Sequence, residues 1–202
     1  MYMEKTSNGI IKYYSIYSKK LQFEGIYLRG KRIKYGREYC YDGFLKYEGY
    51  YLYGEKTGKG KEYLNKRLIY SGEFRYNKRN GKGKEYDYNE KIIFEGEYLN
   101  GNRWNGIGYD GQGNKIYELK GGYGIIKEYN ICNILIYEGE YSNGKRNGKG
   151  KEYNCNGFLN FEGEYLDGKR WNGKKFVYEE NSENIKNIIK YLNGICDEYI
   201  YY

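Results

Sequence analysis

The stretch of this sequence that comes nearest to a reactive site is GEKTGKGK, residues 54–61. A phosphate-binding loop needs four residues between its glycines and a Ser or Thr after its lysine, so that backbone N–H groups and the ammonium converge on one phosphate. Here three residues separate Gly54 from Gly58, and Gly60 follows Lys59. The pattern fails as a nucleotide site. The chain has no His, the one side chain whose ordinary pKa suits acid–base work near neutrality, and no GxSxG nucleophile motif. Cys40, Cys132, Cys155 and Cys196 form no CxxC pair and lack the His partners of metal-ligand spacings. Glu recurs opposite Lys at fixed intervals, as paired structural carboxylates do. The expectation is a protein that is not an enzyme and uses no cofactor or metal.

The other side chains with chemistry to offer are basic, and they sit in a repeat. Its clearest copy is YEGEYSNGKRNGKGKEY, residues 137–153. Residues 137–141 alternate aromatic or Gly with Glu, 148–153 form a second short run, and SNGKRN between them is Asn/Gly-rich, which predicts a β-hairpin. The central Gly of the first strand falls at Gly25, Gly49, Gly72, Gly96, Gly121, Gly139 and Gly163. A self-similar period of this length marks a repeat array.

The fourth and seventh copies (95–111 and 162–178) have one extra residue in the turn, with Trp104 and Trp171 at the same repeat position. The fifth, KGGYGIIKEY at 120–129, matches the template with SNGKRN removed, which predicts a tight turn near Tyr123-Gly124 and a notch in that edge. Asn8-Gly9 followed by IIKYY resembles a lone second strand, so residues 1–22 are expected to be a half-repeat cap, 23–178 the array and 179–202 a C-terminal cap. In that cap Ile185, Ile188, Ile189 and Leu192 at i, i+3, i+4 and i+7, with Ser182 as N-cap, predict a short helix. KYLNG at 190–194 also resembles EYLNG at 97–101, which leaves a decayed eighth hairpin open.

In the template, Tyr141 opposite Gly148 would place Glu140 against Lys149, Gly139 against Gly150 and Glu138 against Lys151, two cross-strand ion pairs on one face. Tyr137, Gly139, Tyr141, Gly148 and Gly150 would share the other face, a structural ladder in which rings lie over paired glycines. Leu, Ile, Val and Phe number only 40 of 202 residues. The 31 Tyr must therefore supply much of the core through their rings. Thirty Gly and no Pro fit an ordered, elongated protein. Three Cys follow second strands of their own repeats, roughly 10 Å apart across two strands, beyond the roughly 7 Å Cα limit for a disulfide. Free thiols in a reducing compartment are expected. There is no N-x-S/T sequon, no 18-residue apolar run and no signal-like apolar region.

The YEGEY-x-NGKR-x-GKG pattern over roughly residues 8–178 resembles the MORN (membrane occupation and recognition nexus) repeat. The resemblance implies an all-β fold, an elongated, twisted single-layer antiparallel sheet of about seven successive hairpins. It also implies a scaffold that binds proteins or itself, with phospholipid association as the alternative, in the cytoplasm or peripheral at a membrane or the cytoskeleton.

The six turn windows 28–33, 52–57, 75–80, 99–105, 142–147 and 166–172 hold 12 Lys/Arg and 2 Asp/Glu, a net of +10 against +8 for the chain. The candidate basic edge is Arg29, Lys31, Arg32, Lys78, Arg79, Arg103, Lys145, Arg146, Lys169 and Arg170. Such a row suits anionic headgroups, an acidic protein surface or, last among them, nucleic-acid phosphates. It equally suits plain solubility and edge protection. Trp104 and Trp171 are candidate aromatic anchors for a partner, or cover for a neighbouring hairpin.

Overall fold

The computed structural model describes residues 2–7, 9–130, 132–179, 183–196 and 200–201. Asn8 of the Asn8-Gly9 signal and the predicted N-cap Ser182 lie outside them. The chain forms two compact units, Met1–Gly101 and Asn102–Tyr202. All regular structure among the described residues is β.

In the first unit nine strands follow one another in chain order, each hydrogen-bonded to the next: β1 (Tyr2–Lys5), β2 (Ile11–Tyr14), β3 (Leu21–Leu28), β4 (Lys31–Tyr39), β5 (Leu45–Leu52), β6 (Glu55–Leu64), β7 (Arg67–Arg75), β8 (Lys78–Tyr86) and β9 (Ile92–Leu99). The second unit holds β10 (Asn102–Tyr109), β11 (Lys115–Leu119), β12 (Gly124–Tyr129), β13 (Leu135–Ser142), β14 (Lys145–Tyr153), β15 (Leu159–Leu166), β16 (Lys169–Tyr178), β17 (Ile185–Leu192), β18 (Ile195–Cys196) and β19 (Ile200–Tyr201). There β10 pairs with β11, β12 to β18 pair in chain order, and β19 returns to β17. Every pairing within these units is antiparallel. β12 opens a new sheet, joined to β11 through the single bridge Lys120–Tyr123.

The connection at SNGKRN is tighter than its length suggests. Asn143 (φ 52°) and Gly144 (φ 72°) alone make the turn, both left-handed, as a two-residue primed hairpin turn requires. Lys145 and Arg146 already belong to β14, opposite Ser142 and Tyr141. The basic windows are thus strand ends rather than loops.

Glu138 faces Lys151 and Gly139 faces Gly150, as the pattern predicts. Tyr141, however, faces Arg146 instead of Gly148, because β14 bulges between Arg146 and Gly150. The bulge turns on Gly148, at φ 90°, a conformation that only Gly adopts at little cost. In the seventh hairpin Gly163 faces Gly173 and Tyr165 faces Arg170. Its bulge is one residue shorter, so Trp171 marks a deletion and not an insertion.

Two end predictions change. β1 pairs with β2, and Tyr2 stacks on Tyr14 at 4.9 Å, so the chain does not enter through a lone strand. Residues 185–192 are strand β17 and not a helix. Two-strand pairing buries Ile189 and sets Tyr191 edge-to-face on Phe161 at 5.5 Å. The decayed eighth hairpin is the alternative that holds: tertiary packing overrode a helical period in which three of the four apolar residues are β-branched.

Rings make up most of the core: Tyr51, Phe74, Tyr98 and Tyr165 are 3% exposed, and one ring per hairpin lies deeper still. Phe23, Tyr47, Tyr70, Phe94, Tyr137 and Phe161 are at most 1% exposed. Each of Phe23, Tyr47, Tyr70, Tyr137 and Phe161 lies over a facing glycine pair of its own hairpin. At Gly150 a methyl group would stand 2.7 Å from Tyr137 ring carbons, so any side chain there displaces the ring. The buried Tyr hydroxyls stay satisfied: Tyr137 donates to the Glu140 carbonyl at 3.2 Å and Tyr70 to that of Glu73 at 3.2 Å. Rings of successive hairpins meet edge-to-face at 5.1–5.5 Å, as in Tyr47–Phe74, Tyr70–Tyr98 and Tyr137–Tyr165. Burying each ring stabilises by about 1.5–3 kcal/mol.

The shortened fifth hairpin is built differently. Its turn is Gly121-Gly122, two residues before the predicted place. Gly121 is therefore a turn residue, and the strand position assigned to it belongs to Leu119. The notch is real within the second unit. Other turns donate a backbone N–H to the lid or Trp carbonyl of the preceding hairpin, as Gly168 does to Arg146 at 2.9 Å and Asn77 to Lys56 at 3.2 Å, but Gly144 donates to the turn residue Gly122 at 2.9 Å.

Candidate interaction surface

The last basic residue of each turn window points inward. The Arg32 guanidinium lies 4.2 Å above the Phe23 ring, Lys56 4.1 Å above Tyr47, Arg79 4.2 Å above Tyr70, Arg146 4.2 Å above Tyr137 and Arg170 5.0 Å above Phe161. Each ring is thus sandwiched between a glycine floor and a cation, an attraction of roughly 0.5–2 kcal/mol.

Glu side chains clamp these lids. Arg146 pairs with Glu128 at 2.7 Å and Glu152 at 3.3 Å, Arg170 with Glu152 at 2.6 Å, and Arg79 with Glu62 at 3.0 Å and Glu85 at 3.4 Å. Because a Glu of one hairpin binds the Arg of the next, the lids also stitch hairpins together. Tyr hydroxyls join them: Tyr165 donates to Glu152 at 3.1 Å and Tyr141 to Glu128. Burial opposes ionisation of Glu152, but Arg170, Arg146 and the Tyr165 hydroxyl outweigh it and hold the carboxyl below its usual range. Burial pushes the Lys56 ammonium down against the pull of Glu62 and Glu38.

The ten candidate edge residues therefore separate. Arg32, Arg79, Arg146 and Arg170 are lids, and Arg103 is half-buried and donates to the Tyr117 hydroxyl at 2.6 Å. Arg29, Lys31, Lys78, Lys145 and Lys169 are exposed at the turns. With Lys56 the inward set numbers six, and the windows' net charge in solvent falls from +10 to +4. Both Trp are half-buried and cover turns. A methyl on Gly122 would meet the Trp104 ring at 2.8 Å, and one on Gly194 would meet Trp171 at 3.2 Å. Each thus packs on the turn of an atypical hairpin, the shortened fifth or the terminal eighth. The ladder residues gather as expected except Gly148, which is the bulge.

The opposite face is open. Two adjoining grooves of about 520 and 510 Å³ cross β4–β9, and one of about 540 Å³ crosses β11–β15. Their walls carry Lys61–Glu48 at 3.8 Å, Lys84–Glu95 at 2.9 Å, Lys127–Glu138 at 3.8 Å and Lys151–Glu162 at 3.5 Å. The turn pattern did not single out these grooves.

The family comparison falls on the ring-and-glycine hairpins. The MORN repeat family model matches residues 47–66, 70–90 and 137–157, which contain the rings of Tyr47, Tyr70 and Tyr137 with their glycine pairs. The chain is a MORN-repeat protein. No curated protein matches it. MORN repeats are generally a non-enzymatic module, and scaffold and membrane-associated roles are both consistent with them.

Among the described residues of this MORN array, no group of three or more acidic or Cys side chains could hold a metal, and no helix is long and apolar enough to cross a membrane. The four thiols are free, three of them (Cys40, Cys132 and Cys155) in loops between hairpins. Residues 54–61 contribute a turn at Gly54, a lid at Lys56 and a bulge at Gly58 (φ 59°), with no phosphate cradle.

Proposed function

We propose that this MORN array is a non-enzymatic scaffold that binds a protein partner or itself, in the cytoplasm or peripheral at a membrane or the cytoskeleton. One observation carries the reading. The Arg, Glu and Tyr groups of the ring face are spent on one another, whereas the opposite face of each unit is an open, grooved surface. Scaffolding needs such a surface and no reactive group.

Anionic phospholipid is the second reading, favoured by the exposed Arg29, Lys31, Lys78, Lys145 and Lys169. At roughly 1 kcal/mol per basic residue near a membrane, a residual +4 spread over two units supports weak attachment. The discriminating experiment is sedimentation with phosphatidylserine and with phosphatidylcholine vesicles, beside light scattering for mass. Lys31, Lys78, Lys145 and Lys169 are changed to Ala, and the lid arginines are left intact so that the core survives. The scaffold reading expects at most weak pelleting. Strong pelleting with the anionic vesicles that the Lys→Ala protein loses would replace it with the lipid reading.

A further inference from the structure

Two turn tips of the first unit carry side chains that suit the turns poorly. The first residue of each two-residue hairpin turn is left-handed. Four hairpins place Asn100, Asn143, Asp167 and Asn193 there, at φ 50–52°, and after Gly these residue types tolerate that conformation best. The second and third hairpins place Tyr53 and Tyr76 there instead, both at φ 51°. A bulky ring on such a backbone is strained. Burial does not compensate, since the two are 68% and 65% exposed. Strain without packing to balance it points to a functional position.

The two tips bound one cleft. It measures about 260 Å³ and is lined by Leu52, Tyr53, Glu55, Thr57, Arg75 and Tyr76. Leu52 is itself 53% exposed. The Arg75 guanidinium lies 5.2 Å from the centre of the Tyr76 ring, and its charge balances that of Glu55. The cleft therefore offers aromatic and apolar surface rather than a field of one sign. Its backbone donors are already used. The tip N–H groups of Gly54 and Asn77 donate to the Arg32 and Lys56 carbonyls at 2.8 and 3.2 Å, and the Lys56 N–H donates to Asn77 Oδ1 at 2.8 Å. Neither Tyr hydroxyl has a hydrogen-bond partner among the described residues, so both are open to an acceptor.

We propose that this cleft binds a proline-rich segment of a partner protein in the polyproline II conformation, with prolines i and i+3 on the Tyr53 and Tyr76 rings. Three features select that occupant. The tips stand two strand spacings apart, about 9.6 Å, and one turn of polyproline II, three residues, rises about 9.3 Å. The two prolines thus fall in register with the two rings. The carbonyls of polyproline II have no internal partner and accept from the Tyr hydroxyls. A helix already bonds its own carbonyls, and an added β-strand needs backbone donors that these tips no longer have. Finally, a pyrrolidine on an aromatic ring requires no net charge, as the balanced Glu55 and Arg75 allow. The proposal rests on the scaffold reading and deepens it.

The test uses the full chain and a fluorescent peptide with prolines at i and i+3, read by anisotropy. Tyr53→Asn and Tyr76→Asn install the turn residue of other hairpins. Each should weaken binding about tenfold and leave the thermal midpoint level or higher, because turn strain is relieved. Tyr53→Phe, which keeps the ring and loses the donor, should weaken binding less. A midpoint that falls in both Tyr→Asn variants would show that the rings serve the fold, and would overturn the proposal. So would an absence of binding to the unaltered chain, or equal binding of a helical peptide or of one with prolines at i and i+2. A dimer of the chain that Tyr53→Asn dissociates overturns it too, since a second copy then fills the cleft. If the proline peptide fails while a protein partner still binds the open face, the scaffold reading stands and this assignment falls.

Discussion

The sixth hairpin (β13–β14) and the fifth (β11–β12) bury the same repeat position by opposite means. In the sixth, Gly139 and Gly150 face each other and the Tyr137 ring fills the space above them, closed by Arg146 and clamped by Glu128 and Glu152. In the fifth, Leu119 and Ile126 stand at the glycine positions, 1% and 0% exposed. The ring at the Tyr137 position, Tyr117, lies instead over Gly108 of β10, and its hydroxyl takes the Arg103 guanidinium. Cutting the turn removes the residue that would be the lid. A ring without its cation would be left half-wetted, so aliphatic side chains close the gap. The ring solution is therefore a unit of four parts: two glycines, a ring, a cation and its carboxylates.

The largest test of that claim is to force one solution into the other's frame. Gly150→Ile should cost at least about 3 kcal/mol, because the new side chain must displace the Tyr137 ring and expose the Arg146 pairs. Adding Tyr137→Ala to Gly150→Ile should return part of the loss in urea unfolding. Strictly additive effects would break the idea that ring and glycine are one device. Ile126→Ala in the fifth hairpin should cost about 2–4 kcal/mol as an ordinary cavity.

Much of this contrast is legible in the sequence, and the reason for the remainder is physical. The hairpin order, the Gly139–Gly150 pairing and the rings over glycine follow from alternation at period two. Removing SNGKRN from the template identifies the fifth unit as a hairpin. Its turn falls two residues early because Leu119 and Ile126, read by identity, do not align with glycines they replace by volume. The Arg lids are hidden for another reason. A sequence records Lys145 and Arg146 as equal charges, and only the bulge at Gly148 fixes which of the two turns over the ring.

Next in size is the lid. Arg146→Ala should cost about 2–3 kcal/mol near neutral pH, since it strands Glu128 beside a bare ring and leaves Glu152 with Arg170 alone. Mild acid should shrink that cost as the carboxyls protonate. The unaltered array should behave in the opposite way. The carboxyls of Glu38 and Glu152 sit below their usual range, where cations outweigh burial. The folded state then binds fewer protons than the unfolded one, so its stability is full above about pH 4–5 and falls as pH drops through the folded pKa values. Urea midpoints across pH 3–7 check both trends. A midpoint that rose on acidification would remove the clamp from the account.

The alkaline side isolates the tyrosines outside the ring stack. Burial, and then the acceptors Glu24 and Glu138, push Tyr39 and Tyr153 up to about 12. The folded chain keeps these protons longer than the unfolded chain, whose Tyr titrates near 10. Their contribution is complete below about pH 10 and drains away between about 10 and 12. Tyrosinate absorbance should lag behind free Tyr until circular dichroism reports unfolding. Titration of these groups near 10 with the fold intact would mean that the Glu24 and Glu138 contacts do not hold in solution.

The smallest expected effect carries the sharpest meaning. Lys145 neighbours Arg146, yet its ammonium is 3.5 Å from Asp167 with the two side chains 45% and 78% exposed. Such a pair is worth at most about 0.5 kcal/mol, so Lys145→Ala should leave the urea midpoint almost unmoved and insensitive to salt. A near-zero value beside a loss of about 2–3 kcal/mol at Arg146 would show that one KR dipeptide divides its labour, one residue for the core and one for the surface. It would also validate the exposed lysines as probes of binding, because a change in vesicle or partner affinity on altering them could not be blamed on unfolding. A loss above about 1.5 kcal/mol at Lys145 would mean that the turn edge is itself structural, and the separation of lid from edge would fail.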